Sequence, residues 1–137
     1  MGLRLIIADG NNNAPGFAFA DIKLVISTYD SQALSAAAKM LHESGEPIHG
    51  VIAMCADVPV SAAAIAADLK LPGLSLQTAH RVSDKLAMKH QLQASGIPIP
   101  RFESVRCAKD LIQVMDRLGL PFVIKPVDSR GARGVLL

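Results

Sequence analysis

Apolar and polar positions along this chain fall into short blocks whose period changes from one block to the next. Leu3-Arg4-Leu5-Ile6-Ile7-Ala8 is an apolar run stopped by the polar turn Asp9-Gly10-Asn11-Asn12-Asn13, which predicts a first strand. Lys23-Leu24-Val25-Ile26-Ser27-Thr28 predicts a second. From Asp30 or Ser31, either of which suits an N-cap, apolar residues recur with helical spacing at Leu34, Ala37, Ala38 and Leu41, and Gly45 follows the end of the run. Gly50-Val51-Ile52-Ala53-Met54 is continuously apolar and predicts a strand buried on both faces, as in parallel sheets. A helix from Val60 to Leu69 presents Ala62, Ile65, Ala66 and Leu69 on one face.

Beyond the turn Leu71-Pro72-Gly73-Leu74, Ser83 is the expected N-cap of a helix that ends before Gly96, with Lys85 in its first turn. The partial positive charge of a helix start disfavours a cation there, while its donor-rich backbone suits an anion. The plainer reading is a solvated Lys85 paired with Asp84 or another neighbour. Ile97-Pro98-Ile99-Pro100 is extended, because each residue before a proline is pushed out of the helical region, and it reads as a boundary. Phe102 to Val105 predicts a strand, and Leu111, Val114, Met115 and Leu118 mark the core face of a helix ended by Gly119.

The last sixteen residues, Phe122 to Leu137, read as strand, glycine loop, strand. Lys125 closes the apolar run Phe122-Val123-Ile124 and shares a face with Val123, since side chains alternate across a strand. The loop then carries Gly131 and Gly134, which permit positive φ and close approach to a ligand, with Arg130 and Arg133 as further cations. This combination suits a polyphosphate; the plainer reading is a hairpin with a solvated basic loop. The loop is not a Walker A motif, because no Gly-Lys-Ser/Thr closes it, and in a kinase glycine loop the lysine follows the glycines rather than preceding them.

Composition narrows the classes. A chain of 137 residues, 50% hydrophobic and 19% charged, can form a globular core. A net charge of +2, with four Phe, one Tyr and no Trp, gives neither the basic footprint nor the stacking surface of a nucleic-acid binder. No apolar run approaches a membrane span and the start lacks a signal-peptide pattern, so a cytoplasmic protein is expected, with Cys55 and Cys107 as reduced thiols. His42, His49, His80 and His90 have no zinc spacing, and there is no G-x-S-x-G elbow. Asp9 at a strand end would suit a dinucleotide ribose, but G-x-G-x-x-G is missing, and a turn capped by its own side chain explains it better. Asp57-Val58-Pro59 follows a predicted strand, where open α/β sheets bind ligands; it also reads simply as a helix start with Pro59 in the first turn.

The order of these parts resembles the ATP-grasp superfamily, which includes carbamoyl phosphate synthetase, biotin carboxylase and glycinamide ribonucleotide synthetase. Ser83-Asp84-Lys85-Leu86-Ala87-Met88-Lys89, then Gly96-Ile97-Pro98-Ile99-Pro100, then Gly119-Leu120-Pro121-Phe122-Val123-Ile124-Lys125-Pro126 follow that family's order. Ala8-Asp9, Ala14-Pro15-Gly16 and Ala20-Asp21 resemble its second strand and the loop after it rather than its first. The resemblance implies an α/β chain: a Rossmann-like pre-ATP-grasp domain over residues 1–78, lacking its first strand, then the start of an α+β ATP-grasp domain over 79–137. It implies an ATP-dependent carboxylate–amine or carboxylate–thiol ligase acting through an acylphosphate on a small carboxylate or bicarbonate. Lys85 and Lys125 would neutralise the ATP phosphates, under a lid of Ser129, Arg130, Gly131, Ala132, Arg133 and Gly134. Ala132 and Arg133 depart from the glycine-richer family lid. Adenine contacts and Mg²⁺ ligands are expected beyond residue 137, so these residues alone are expected to be inactive, with open strand edges available for self-association. Two other classes stay open: a non-catalytic nucleotide-sensing or oligomerisation module, and a Rossmann dinucleotide-binding domain that uses Asp9.

Overall fold

In the computed structural model, which describes residues 2–54, 56–129 and 131–137, the chain is α/β, with a small parallel sheet and five α-helices among those residues. Cys55 and Arg130, both singled out by the sequence, lie outside the described residues. The chain divides into two compact units, Met1–His80 and Arg81–Leu137.

In the first unit, β1 (Ile6–Asp9) pairs in parallel with β2 (Ile22–Val25), Ile6 opposite Ile22 and Asp9 opposite Val25. Asp21 locks the entry to this pair: its carboxylate accepts the Leu5 N–H at 2.7 Å, while the N–H groups of Asp21 and Ile22 donate to the Leu5 carbonyl at 2.9 and 3.2 Å. Ile22 and Leu24 are half-buried while Lys23 and Val25 are exposed, the period of two expected of a one-sided strand. A turn of 3₁₀ helix, Pro15–Phe19, joins the two strands and buries Phe17.

Helix α1 (Ser31–Glu43) starts at Asp30, not Ser31, because the Asp30 carboxylate accepts the Ala33 N–H at 3.0 Å. Gly45 follows it at φ 98°, the left-handed conformation that a glycine adopts without penalty. Helix α2 (Pro59–Asp68) has Pro59 at its first position, where the missing N–H costs nothing. α1 packs on α2, burying Leu34 and Ala38 on one side and Ala63 and Ala66 on the other. Leu34 contributes about 1.5–3 kcal/mol by burial, whereas each alanine methyl contributes roughly one CH₂ equivalent, about 0.8 kcal/mol. Polar atoms in this layer are paired: Ser35 Oγ donates to Asp68 Oδ2 at 2.6 Å and Ser61 Oγ to the Thr28 carbonyl at 2.7 Å.

The 50–54 run departs from the expectation of a doubly buried strand. It joins no ladder among the described residues, and Ile52 and Met54 are 77% and 72% exposed, while Val51 and Ala53 are half-buried. Continuous hydrophobicity marked an extended segment, but one face of it has nothing against it, and a strand exists only through a paired neighbour.

Helix α3 (Leu76–Ser83) spans the division between the units; the second unit then carries α4 (Lys85–Ala94) and α5 (Ala108–Leu118). Ser83 is therefore the last residue of α3 and not an N-cap. Asp84 holds that place, with extended backbone and its Oδ1 accepting the N–H groups of Leu86 and Ala87, each at 2.8 Å. Two residues competent to cap stand side by side, and the carboxylate, which accepts from two amides at once, takes the position.

Phe102 to Val105 also joins no ladder among the described residues. It runs beside α5: Arg101 donates to the carbonyls of Arg117 and Leu118 at 3.3 and 2.8 Å, and Arg117 pairs with Glu103 at 3.2 Å. A cation on the last carbonyls of a helix complements its dipole. Val114 is buried on the core face of α5, with Leu111 and Leu118 half-buried beside it. No helix among the described residues is long and apolar enough to cross a membrane.

Candidate functional site

The site is built from the two ends of the second unit. At one end the predicted strand, glycine loop and strand contract to a single antiparallel bridge: the Ile124 N–H donates to the Leu136 carbonyl at 2.8 Å and the Leu136 N–H to the Ile124 carbonyl at 2.9 Å. One residue beyond Ile124, Lys125 is exposed, as is Val123, while Phe122, Ile124 and Pro126 are half-buried. The alternation thus continues through the lysine, and its ammonium enters no hydrogen bond or ion pair among the described residues.

The loop that follows needs its glycines. Gly131 and Ala132 take φ 62° and 58°, and Gly134 takes φ 70°. The Val135 N–H donates to the Ala132 carbonyl at 3.3 Å, closing a turn whose third residue is Gly134 at positive φ, where glycine belongs. A Cβ on Gly134 would lie 2.8 Å from Cγ of Pro126, so the returning arm passes tightly over the residue next to Lys125. Ala132 adopts the left-handed region without the exemption glycine has, at a cost of about 1–2 kcal/mol. Ser129 Oγ donates to the Arg133 carbonyl at 3.1 Å and braces the loop across its base. Arg133 is exposed.

At the other end stands the start of α4. Lys85 is brought to the same loop, by its carbonyls. The Lys85 N–H donates to the Val127 carbonyl at 3.0 Å; its Nζ donates to that carbonyl at 3.3 Å and to the Ser129 carbonyl as well. At this helix start the ammonium and the first backbone donors rest on protein acceptors. The Lys85, Leu86 and Ala87 N–H groups all have protein acceptors, and the Asp84 carboxylate adds negative charge beside them. Val127 was not singled out from the sequence, and Asp84 was named there as a pairing partner of Lys85 rather than as the cap. The adjacency of Ser83 and Asp84 hinted at the cap, but nothing local marked Val127 as an acceptor.

Asp9 Oδ1 accepts the Asn11 N–H at 2.8 Å and Asn11 Oδ1 the Asn13 N–H at 2.9 Å, two successive side-chain turns at the end of β1. Asp57 is exposed ahead of α2. His42 Nδ1 accepts the Ile48 N–H at 3.1 Å, and His90 lies edge-on to Phe102 with centroids 5.1 Å apart, a ring that Lys89 Nζ also approaches at 5.1 Å. Among the described residues no three His, Cys, Asp or Glu side chains come together as a metal cluster. Asp110, in the first turn of α5, is held below its ordinary pKa chiefly by the Arg106 N–H at 2.9 Å and then by the Cys107 thiol.

No family model matches the chain. It is 31% identical over 90 residues to the uncharacterized protein y4rH of Sinorhizobium fredii, covering 66% of this chain and 19% of that protein. It is 36% identical over 62 residues to the L-arginine-specific L-amino acid ligase of Bacillus subtilis, covering 45% of this chain and 15% of the ligase. The crystal structure of an L-amino acid ligase from Bacillus licheniformis superposes with a TM-score of 0.65 at 25% identity, over 86% of this chain and 28% of that one. The chain thus spans less than a third of the length of each of these proteins. On sequence and fold together, the chain is a relative of the ATP-grasp ligases, of which it spans a part.

Proposed function

We propose that this chain is part of a cytoplasmic, ATP-dependent carboxylate–amine or carboxylate–thiol ligase, and that its glycine loop and Lys125 hold the phosphates of ATP. The observation that carries this reading is the exposed, unengaged Lys125 ammonium immediately ahead of a loop with three residues at positive φ. Such a loop can turn backbone N–H groups toward an anion, and Arg133 adds charge on the same segment. Residues 1–78 are read as the Rossmann-like domain that precedes the nucleotide-binding domain, and 79–137 as the beginning of the latter.

In the reaction so proposed, a carboxylate oxygen bonds to the γ-phosphorus as its bond to the β–γ bridging oxygen breaks and ADP leaves. An amine or thiol then attacks the acyl carbon, losing its proton as phosphate departs. The names of the relatives favour an amino acid as the carboxylate donor. Lys125 offsets phosphate charge, and Ser129, Gly131, Ala132, Arg133 and Gly134, with Arg130, form the cover that excludes water. Lys85 is read as the second lysine that neutralises the phosphates, its Nζ standing at the base of the same loop beside the Val127 and Ser129 carbonyls. Among the described residues no cluster of three His, Cys, Asp or Glu side chains is placed to hold Mg²⁺.

Calorimetric titration with ATP and with NAD tests the reading on wild type, Lys125→Ala and Asp9→Ala. Losing one charge-assisted contact of about 1.5–3 kcal/mol should weaken ATP binding by about tenfold or more in Lys125→Ala, with Asp9→Ala unchanged. NAD binding that is lost in Asp9→Ala and indifferent to Lys125→Ala would replace this reading with a dinucleotide-binding domain. Acylphosphate turnover is not expected from these 137 residues alone; sustained turnover by the purified chain, abolished in Lys125→Ala, would overturn that expectation.

A further inference from the structure

The start of α4 is held from two sides, and Lys85 lies between them. From one side Asp84 Oδ1 accepts the Leu86 and Ala87 N–H groups, each at 2.8 Å, while the Asp84 carbonyl accepts the Met88 N–H at 2.9 Å. From the other side the Val127 carbonyl accepts the Lys85 N–H at 3.0 Å. A helix start leaves its first backbone donors without intrahelical partners, so these outside acceptors fix the first turn. Asp84 and Lys85 are both half-buried. The Asp84 carboxylate is engaged with amides, whereas the Lys85 ammonium lies at the base of the glycine loop beside the Val127 and Ser129 carbonyls.

From this we infer that Asp84 is a positioning residue for phosphate binding: its cap on α4 fixes the backbone from which Lys85 reaches the anion, and it acts on the anion only through that lysine. The inference rests on the proposed nucleotide reading, in which Lys85 and Lys125 both neutralise phosphate. A lysine carries its charge on a flexible four-carbon stem and loses that freedom when the ammonium settles on an anion. Fraying of the first turn would add backbone freedom to the same loss, so an intact cap lowers the entropy that binding must remove. Charge alone argues in the opposite direction, because a carboxylate beside the lysine opposes a polyphosphate. One substitution separates the two effects: asparagine caps a helix about as well as aspartate and carries no charge.

Calorimetric titration with inorganic triphosphate and with ATP, together with amide hydrogen exchange on the same full chain, tests this. Asp84→Ala should raise exchange at Leu86 and Ala87 and weaken triphosphate binding by about fivefold, the factor that corresponds to the usual worth of such a cap. Asp84→Asn should keep both amides protected and bind triphosphate at least as tightly as the wild type. In a Lys125→Met background Asp84→Ala should cost the same factor, and in a Lys85→Met background nothing further, since the lysine it acts through is then gone. Low ionic strength strengthens the remaining contacts and keeps the Lys85→Met background measurable. An equal loss in that background would show that Asp84 acts without Lys85 and would overturn the inference. So would Asp84→Asn binding as weakly as Asp84→Ala while its amides stay protected. If Asp84→Ala also loses protection in α5, Asp84→Gly, which lacks the same acceptor but costs the helix less, takes its place in every comparison. Failure of both probes to bind the wild-type chain would remove the nucleotide reading and this inference with it; wild-type binding with unchanged affinity in Asp84→Ala would remove the inference alone.

Discussion

At the scale of single residues, position relative to backbone donors and acceptors decides what each charged side chain does. Lys85 and Lys125 are alike in the sequence, yet one ends on carbonyls and the other in solvent. Asp30, Asp84 and Asp110 all stand at helix starts and all accept backbone N–H groups. For Asp110 this has a consequence in pH. Its carboxyl is held below its ordinary value first by the Arg106 N–H, then by the Cys107 thiol. A lowered folded-state pKa stabilises the folded chain above the unfolded-state value, and the contribution disappears as pH falls through the lowered one. Denaturant titration at neutral pH and near pH 3 should therefore show an acid-side loss that is smaller in Asp110→Asn, because that variant has no proton to take up. An equal loss in both proteins would mean that Asp110 makes no contribution to acid sensitivity.

Among the elements, α1, α2, α5 and the first two strands were readable, whereas the later strand runs were not. α1, α2 and α5 follow from periodicity and their caps, because a helix closes its own hydrogen bonds and needs only a few residues of context. The runs at 50–54, 102–105 and 122–125 carried strand composition, yet among the described residues only Ile124 of these finds a ladder partner, in Leu136. Strand pairing depends on a distant neighbour that composition does not name. The break between α3 and α4 was missed for a different reason, a competition between Ser83 and Asp84 settled by a doubly accepting carboxylate. Close approach between elements gives a test in the first unit. A Cβ on Gly73 would stand 2.8 Å from the buried Ala66 Cβ, backbone against a helix interior with no flexible side chain to yield. Gly73→Ala should destabilise α2 packing by about 1–3 kcal/mol, read as a lower denaturation midpoint; an unchanged midpoint would show that this turn relaxes freely.

For the molecule as a whole, the two units differ in how much they bury. In Met1–His80 the buried apolar residues include Phe17, Leu34, Ala38, Ala63 and Ala66, whereas in Arg81–Leu137 Val114 is the buried apolar residue among those described. Local stability follows buried contacts, so the amides of α4 and of the 124–136 bridge should exchange faster than those of α1 and α2 under native conditions. Uniform protection across both units would show that the chain opens as one cooperative body. The loop that carries the candidate site belongs to the less buried unit, which accords with a segment that must rearrange around a ligand.

By itself, the sequence determined the α/β class, a cap for α1 at Asp30 or Ser31, Pro59 in the first turn of α2, the glycine ends of α1 and α5, and the order of lysine before glycines that led to the ATP-grasp resemblance. These are local properties, set by backbone preferences and periodicity within a few residues. Only the tertiary structure decided that Ile52 and Met54 face outward, that Phe102 to Val105 lies along α5 with no ladder partner among the described residues, and that Lys85 ends on Val127 and Ser129. Each of those depends on residues distant along the chain, and no local pattern encodes which carbonyl a distant ammonium will reach.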